Sequence, residues 1–150
     1  MKFYLMRHGE AEFTAPSDAQ RHLTEQGVAL LNRRLDSLKQ ELHDISCIIH
    51  SPYVRTLETA ELVSRCFNVS DLYSSDLWTP ESSPEKALAS LEPYTEHTPL
   101  IVTHMPIIAY VEALCCEGNV SSPRSFGCGE ISSITADWPA AGLGVLTHRF

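Results

Sequence analysis

The sequence predicts an α/β fold of three layers, αβα, around a central sheet that is mostly parallel with an antiparallel edge. One pattern occurs three times: a short apolar run ends in polar residues, and a segment with a helix-start signal follows. Strands that alternate with helices form parallel sheets covered on both faces. Residues 129–150 alternate between polar and apolar side chains around a glycine-containing break, which predicts the two antiparallel edge strands.

The first strand-helix unit begins close to the N-terminus. Residues 3–6, FYLM, are apolar without alternation, as expected of a central strand covered on both faces. A loop rich in Gly, Pro, Ser and Asp then extends to Gln20. Thr24 is the expected N-cap of an amphipathic helix whose apolar positions, at helical spacing, continue to Leu42.

The second unit contains the run ISCIIHSPYVRTLETAELVSRCF. Its strand ends at Ile49, and Ser51 is the expected N-cap of a helix with Pro52 at the first helical position. We expect this helix to extend to about Cys66. Residues 71–75 predict a further short strand.

The third unit follows a short helix that Ser83, Pro84 and Glu85 are expected to start. The run PLIVTHMPIIAYVEALC predicts a strand that ends at Thr103 and His104, with a helix after Pro106.

Composition limits the classes of protein that the chain can represent. A length of 150 residues fits one domain, 1–150, and the formal net charge of −8 argues against general binding of nucleic acid or of an anionic membrane. The five cysteines include no CxxC pair, which indicates reduced thiols and a cytoplasmic protein. We see no zinc-ligand spacing, no export signal and no 18-residue apolar stretch, and we expect no metal and no cofactor.

Polar residues stand where the predicted strands end. Arg7 and His8 follow the first strand, His104 ends the third, and Arg55 falls in the first turn of the second helix. Ligands of parallel sheets bind beyond the carboxyl ends of the strands, so these four side chains should meet at one edge. Guanidinium groups match phosphate oxygens with a planar fork of donors, and nearby helix N-termini favour anions. We therefore predict a phosphoryl site.

A histidine at such a site can also act as a nucleophile, because an unprotonated imidazole nitrogen attacks phosphorus. His8 is the candidate, with Arg7 beside it to neutralise charge. Gly9 would let the backbone turn sharply and approach the ligand closely.

Three motifs in this order, LMRHGEA, SPYVRTLETA and IVTHMP, resemble those of the histidine phosphatase superfamily, which has a phosphoglycerate mutase-like fold. The resemblance covers essentially the whole chain. It implies that His8 is the catalytic nucleophile and that Arg7, Arg55 and His104 bind and polarise the phosphoryl group. The short length and the segment SDAQRHLTEQG resemble the small, SixA-type phosphohistidine phosphatases of this superfamily, which adds Arg21 near the pocket.

The resemblance implies a metal-independent phosphatase of a histidine-phosphorylated signalling or phosphotransfer protein, with inorganic phosphate as product. Relatives that cleave phosphate esters place an acidic residue between the third strand and the next helix, in a glycine-rich stretch. Here Glu81 is the only well-placed candidate, and those glycines are missing. The segment from Asp71 to Pro99 is also too short to build a lid or cap over the pocket.

Two other functions remain open from the sequence. One is a phosphatase of a small phosphate ester with Glu81 as the acid. The other is a catalytically idle module that binds phosphate or phosphohistidine, although a binding module would not need the nucleophile His8.

Several residues also have ordinary structural explanations. Arg55 taken alone could be a solvated helix residue paired with Glu58 or Glu61, and Trp78 and Trp138 are more often core residues than pocket walls. The histidines outside the site motifs are expected at the surface or in loops, with His50 the best candidate for an exception because it precedes Ser51 at a strand end.

Overall fold

A computed structural model describes all 150 residues, and its strands and helices alternate as the sequence predicts. Three short 3-10 turns lie between the longer elements, at Asp18–Gln20, Asp76–Trp78 and Glu92–Tyr94. In chain order the elements are β1 (Lys2–Arg7), α1 (Glu25–Ser37), β2 (Cys47–His50), α2 (Val54–Phe67), β3 (Leu72–Ser74), α3 (Pro84–Ala89), β4 (Pro99–Thr103), α4 (Ile107–Glu117), β5 (Ile131–Ala136) and β6 (Gly144–Arg149).

The six strands form one sheet in the order β3-β2-β4-β1-β5-β6. Strands β1 to β4 pair in parallel, whereas β5 runs antiparallel to both β1 and β6. The mostly parallel sheet with an antiparallel edge is therefore confirmed. Since β4 and β1 are the central strands, polar side chains that follow them lie at the middle of one sheet edge.

Two apolar clusters cover the two faces of the sheet. Tyr4 and Met6 of β1 point to the cluster that includes side chains of α1 and α2, whereas Phe3 and Leu5 point to the cluster that includes side chains of α3 and α4. Alternate side chains of a strand point to opposite faces, so a central strand with two covered faces is apolar throughout. This explains the unbroken run FYLM and gives the three layers.

The first helix is shorter than its sequence pattern predicts. The α1 helix ends at Ser37, and Leu38 caps it with a backbone N–H that bonds to the Leu35 carbonyl. Turns then replace the helix, although Leu42 N still donates to the Leu38 carbonyl at 3.0 Å and Leu42 stays fully buried. The leucines therefore keep their helical spacing beyond the end of α1, because the turns that follow it still bury Leu42 in the core.

The second helix begins later than predicted. Its N-cap is Tyr53 rather than Ser51, and the helix starts at Val54. The backbone N–H of Ser51 instead donates to the Val102 carbonyl at 3.2 Å, which keeps Ser51 in the extended path of β2. The local preference of Ser-Pro for a helix start is therefore outweighed by a tertiary hydrogen bond that holds Ser51 at the sheet edge.

The two tryptophans differ. Trp78 is a fully buried core residue that packs with α3 and α4, whereas Trp138 is exposed in the turn between β5 and β6. None of the helices combines the length and apolar character needed to cross a membrane.

Candidate active site

Backbone hydrogen bonds beyond the ends of three neighbouring strands assemble the site. The N–H of His8 donates to the Thr103 carbonyl at 3.0 Å, and the N–H of Ser51 donates to the Val102 carbonyl at 3.2 Å. The rings of His8 and His104 consequently lie edge to face, with centroids 5.2 Å apart. The predicted convergence of these strand ends is therefore present in the structure.

The His8 ring is fixed through both of its nitrogens. Nδ1 lies 2.7 Å from the Gly9 carbonyl oxygen, and the Nε–H of Arg55 donates to Nε2 at 3.2 Å. Both bonds can form only if Nδ1 carries the hydrogen and Nε2 carries the lone pair. The arrangement therefore selects the neutral tautomer in which Nε2 is unprotonated, the form that can attack an electrophile.

The surroundings of His8 also oppose protonation. The residue is 7% exposed, and its burial, followed by the positive charges of Arg55 and Arg7, lowers its pKa to about 4 despite the hydrogen bond to Gly9. An imidazole with this pKa is neutral throughout the physiological pH range.

The lowered pKa of His8 gives a pH dependence with a definite sign. Because the unfolded side chain titrates near ~6.5, the unfolded chain binds more protons than the folded one between roughly pH 6.5 and pH 4, so acidification through this window should lower the free energy of unfolding. We expect the NMR titration of His8 to have its midpoint near 4. A midpoint near ~6.5 would contradict this description of the site.

His104 is held by a hydroxyl and an aromatic ring. Its Nε2 lies 2.8 Å from Ser51 Oγ, and its ring meets the Tyr53 ring edge to face at 4.9 Å. Burial, followed by the charge of Arg55, lowers the pKa of His104 to about 2. The Nδ1 atom is buried without a hydrogen-bond partner in the chain.

Arg7 is anchored by the segment that precedes β5. Its Nη1 donates to the Phe126 carbonyl, whereas its Nε is buried without a hydrogen-bond partner. The N–H of Gly129 donates to the carbonyls of both Arg7 and His8, so the same segment fixes the backbone of the RHG motif.

Arg55 is held by a residue that the sequence did not single out. It is buried, and its Nη1 and Nη2 donate to the Asp18 carbonyl at 2.6 Å and to Asp18 Oδ2 at 3.0 Å. Neither Glu58 nor Glu61 pairs with it; Glu58 instead accepts bonds from His22 and from the Leu23 N–H. Asp18 thus sets the plane of the guanidinium that faces His8.

Arg21 joins this network from the far side of Asp18. Its Nη1 donates to Asp18 Oδ1 at 3.0 Å, and its Nε donates to the Glu12 carbonyl. Partial burial alone would raise the pKa of Asp18, but the hydrogen bonds from Arg21 and Arg55 lower it below its usual value. The carboxylate therefore stays charged and bridges the two guanidinium groups.

We expect Asp18→Ala to lower kcat/KM by about two- to fivefold, because an ion pair with an exposed partner contributes up to about 1 kcal/mol. The loss should arise through Arg55, so the same substitution should have no further effect in an Arg55→Ala background. Steady-state kinetics of the single and double variants check this. Full additivity of the two losses would rule out a positioning role for Asp18.

The structure shows the surroundings of Gly9 and Glu81, whose roles toward a substrate stay predictions. A Cβ at Gly9 would lie 2.5 Å from Leu31 Cδ1, so close packing against α1 accounts for the glycine, and its φ is not left-handed. Glu81 is exposed, and the hydrogen bonds and ion pair of Arg7, His8, Arg55 and His104 do not include it.

Two contributions to the site were missed from the sequence, Asp18 and the Tyr53 ring, whereas Ser51 stood among the polar residues at the strand ends. Tyr53 belongs to the motif SPYVR, which carried a usable signal because it follows a buried strand directly. His50 is buried, with Nδ1 2.8 Å from the Ser51 carbonyl, so it is the exception among the remaining histidines.

Comparison with known proteins agrees with this geometry. The model of the histidine phosphatase superfamily (branch 1) matches residues 3–77, and the chain belongs to this superfamily. It is 31% identical over 144 residues to the phosphohistidine phosphatase SixA of Escherichia coli strain K12, a match that covers 91% of this chain and 86% of that protein.

A second relative is the SixA homolog of Haemophilus influenzae, which is 33% identical over 124 residues and matches 75% of this chain and 76% of its own length. Among solved structures, the protein histidine phosphatase SixA complexed with tungstate superposes with a TM-score of 0.90 at 29% identity, covering 100% of this chain and 96% of the other. A phosphoglycerate mutase of Plasmodium falciparum superposes with a TM-score of 0.71 at 21% identity, covering 98% of this chain and 88% of the other, so the phosphoglycerate mutase-like fold is confirmed.

Proposed function

We propose that this protein is a protein phosphohistidine phosphatase that works through a covalent phosphohistidine intermediate. The observation that carries the proposal is the pair formed by His8 and Arg55, in which a buried neutral imidazole presents its lone pair to a fixed guanidinium 3.2 Å away. A phosphoryl group at this point would meet a nucleophile and a charge-matched donor together.

The first step transfers the phosphoryl group to the enzyme. His8 Nε2 attacks the phosphorus of a phosphohistidine whose other ring nitrogen carries a proton, the P–N bond breaks, and its electron pair stays on the substrate nitrogen, so that the substrate leaves as neutral imidazole. In the second step water attacks the phosphorus on His8, which releases inorganic phosphate and restores the free imidazole. Arg7, Arg55 and His104 bind and polarise the phosphoryl oxygens, with Arg21 close by.

Two buried nitrogens support these roles. Arg7 Nε and His104 Nδ1 make no hydrogen bond within the chain, and buried polar atoms generally have partners. Phosphoryl oxygens are suitable acceptors for both. The SixA structure that superposes on this chain holds tungstate, a tetrahedral oxyanion like phosphate, which supports an oxyanion as ligand of this chain.

The chemistry of the leaving group favours a P–N bond over a phosphate ester. An alkoxide is a poor leaving group because the pKa of its conjugate acid is near water's ~15.7, whereas imidazole titrates near ~6.5. Phosphohistidine therefore needs little help from a general acid. The relatives named as phosphohistidine phosphatases support the same choice.

We expect Glu81→Gln to change the rate on a phosphohistidine protein by less than about threefold. General acid catalysis contributes roughly 10²- to 10⁴-fold where a leaving group requires it, so an ester phosphatase that used Glu81 would lose at least about a hundredfold. The substitution keeps the size of the side chain and removes the proton donor. A hundredfold loss measured by steady-state kinetics would identify Glu81 as a working acid.

We further propose that the substrate is a protein and that the chain is a single domain without a lid. The segment between β3 and β4 supports this, because three of its large apolar side chains, Trp78, Leu88 and Leu91, are buried in the core and not available to cover a pocket. Phe13 is 96% exposed in the loop that also carries Asp18, and aromatic side chains are enriched in protein interfaces. The five unpaired cysteines support a cytoplasmic location.

The test compares kcat/KM on a histidine-phosphorylated phosphotransfer protein with that on a panel of phosphate esters, in the presence of a chelator. The proposal expects a clear preference for the phosphohistidine protein and no effect of the chelator, since the arginines supply the positive charge. A preference for one of the esters would overturn it.

A further inference from the structure

A groove of about 290 Å³ opens beside the candidate active site, between α1 and the segment that precedes β5. Its walls include two leucines, two arginines, one glutamate and one cysteine, and we call it the docking groove: Glu10, Leu30, Leu31, Arg33, Arg34 and Cys128. Leu30 is 46% exposed, so its side chain is accessible to a molecule in the groove.

The docking groove is continuous with the catalytic edge of the sheet. Gly9, which directly follows His8, also lines it, and a Cβ there would touch Leu31. On the opposite wall Cys128 precedes Gly129, whose N–H donates to the carbonyls of Arg7 and His8. Any molecule that fills the groove therefore contacts the segments that hold the RHG backbone.

The charge of the rim is positive, although the whole chain carries a formal charge of −8. Arg33 and Arg34 form no ion pair, and Arg34 Nε is buried without a hydrogen-bond partner. The Glu10 carboxylate accepts a bond from the Thr24 hydroxyl at 2.8 Å. Two guanidinium groups without an ion pair, against the single carboxylate of Glu10, leave the groove with a net positive charge beside an apolar floor, which selects carboxylates that flank an apolar side chain.

We propose that the docking groove binds the phosphohistidine protein itself, through an apolar side chain flanked by carboxylates close to its phosphohistidine. The inference rests on the proposed function and adds the chemistry of the partner. Arg33 and Arg34 contact the partner's carboxylates, and Leu30, beside the largely buried Leu31, contacts its apolar side chain. The groove thus contributes to substrate recognition and takes no part in the chemical steps.

The first experiment uses two synthetic phosphohistidine peptides of equal length and free phosphohistidine. One peptide carries Leu and Asp residues beside the phosphohistidine, and the other has Asn at each Asp position. We expect kcat/KM to be about tenfold higher for the acidic peptide, and we expect Arg33→Glu combined with Arg34→Met to remove that preference. Methionine retains an unbranched side chain that packs against Gly129 as Arg34 does.

Free phosphohistidine reports the catalytic steps alone. Its kcat/KM should stay within about twofold in the double variant, which also shows that the variant folds. Arg65→Glu, at the opposite end of α2 from Arg55, reverses one charge away from the groove and should retain the preference. Equal kcat/KM of the wild type on the two peptides would contradict the proposed role of the docking groove. So would a loss on free phosphohistidine in the double variant that equals its loss on the acidic peptide. If wild type hydrolysed no phosphohistidine substrate, the proposed function would fail and this inference with it.

A second measurement uses the exposed thiol of Cys128 as a reporter. In the His8→Ala variant, which cannot turn over by the proposed route, the acidic peptide should slow alkylation of Cys128 by N-ethylmaleimide at least about threefold. Cys66 on α2 serves as the internal reference and should be unaffected. Unchanged alkylation of Cys128 at saturating peptide would contradict occupation of the groove.

Discussion

Replacement of His8 by alanine should lower kcat on a phosphohistidine protein by at least about 10⁴-fold, because the proposed reaction has no other nucleophile. Removal of a nucleophile from a catalytic unit has effects of this scale or larger. The measurement is single-turnover hydrolysis of a labelled phosphohistidine protein by wild type and variant.

The matched control is His43→Ala, since His43 is exposed and bonds only to the Gln40 carbonyl. It should leave the rate unchanged. The His8 variant should still bind the substrate, because the two arginines remain. A His8→Ala rate within tenfold of wild type would exclude covalent catalysis by this residue.

The second large effect is expected at Arg55, where alanine should lower kcat/KM by roughly 10²- to 10³-fold. That is the usual cost of removing one preorganised donor to a transition state. Arg55 also contacts His8 Nε2 directly, so its loss should reduce the ordering of the nucleophile as well. Lysine should restore only part of the rate, since a point charge cannot form the planar contacts of a guanidinium.

Arg65→Ala on the same helix provides the control for helix propensity and net charge, and it should behave as wild type. Comparison of kcat/KM for Arg55→Ala, Arg55→Lys and Arg65→Ala separates the effect of the planar guanidinium donors at position 55 from that of the positive charge. Full activity of Arg55→Lys would show that the planar donors of Arg55 are not required.

The central part of the site follows from the sequence because parallel strands end at one edge of the sheet. An apolar run marks a central strand, and the polar residues after it must lie at that edge, which brings Arg7, His8 and His104 together. The location of Arg55 can be predicted as well, since the first turn of the helix after β2 starts at the same edge.

Asp18 could not be predicted in this way, because its contact with Arg55 depends on the path of an irregular loop. The two residues are 37 positions apart, and no periodic pattern relates them. The helix start at Ser51 was wrong for a related reason: local capping preferences favour Ser-Pro, but a hydrogen bond to β4 outweighs them. Long-range contacts of this kind leave no local signature.

The central claim is that the phosphoryl group passes through His8, and rapid quenching tests it most directly. Enzyme mixed with ³²P-labelled phosphohistidine protein is quenched in alkali within the first turnover, digested and analysed by mass spectrometry. The mechanism predicts a transient label that is stable to base, labile to acid and located on the peptide containing His8. Label on another residue, or phosphate release without any labelled enzyme while turnover proceeds, would contradict it.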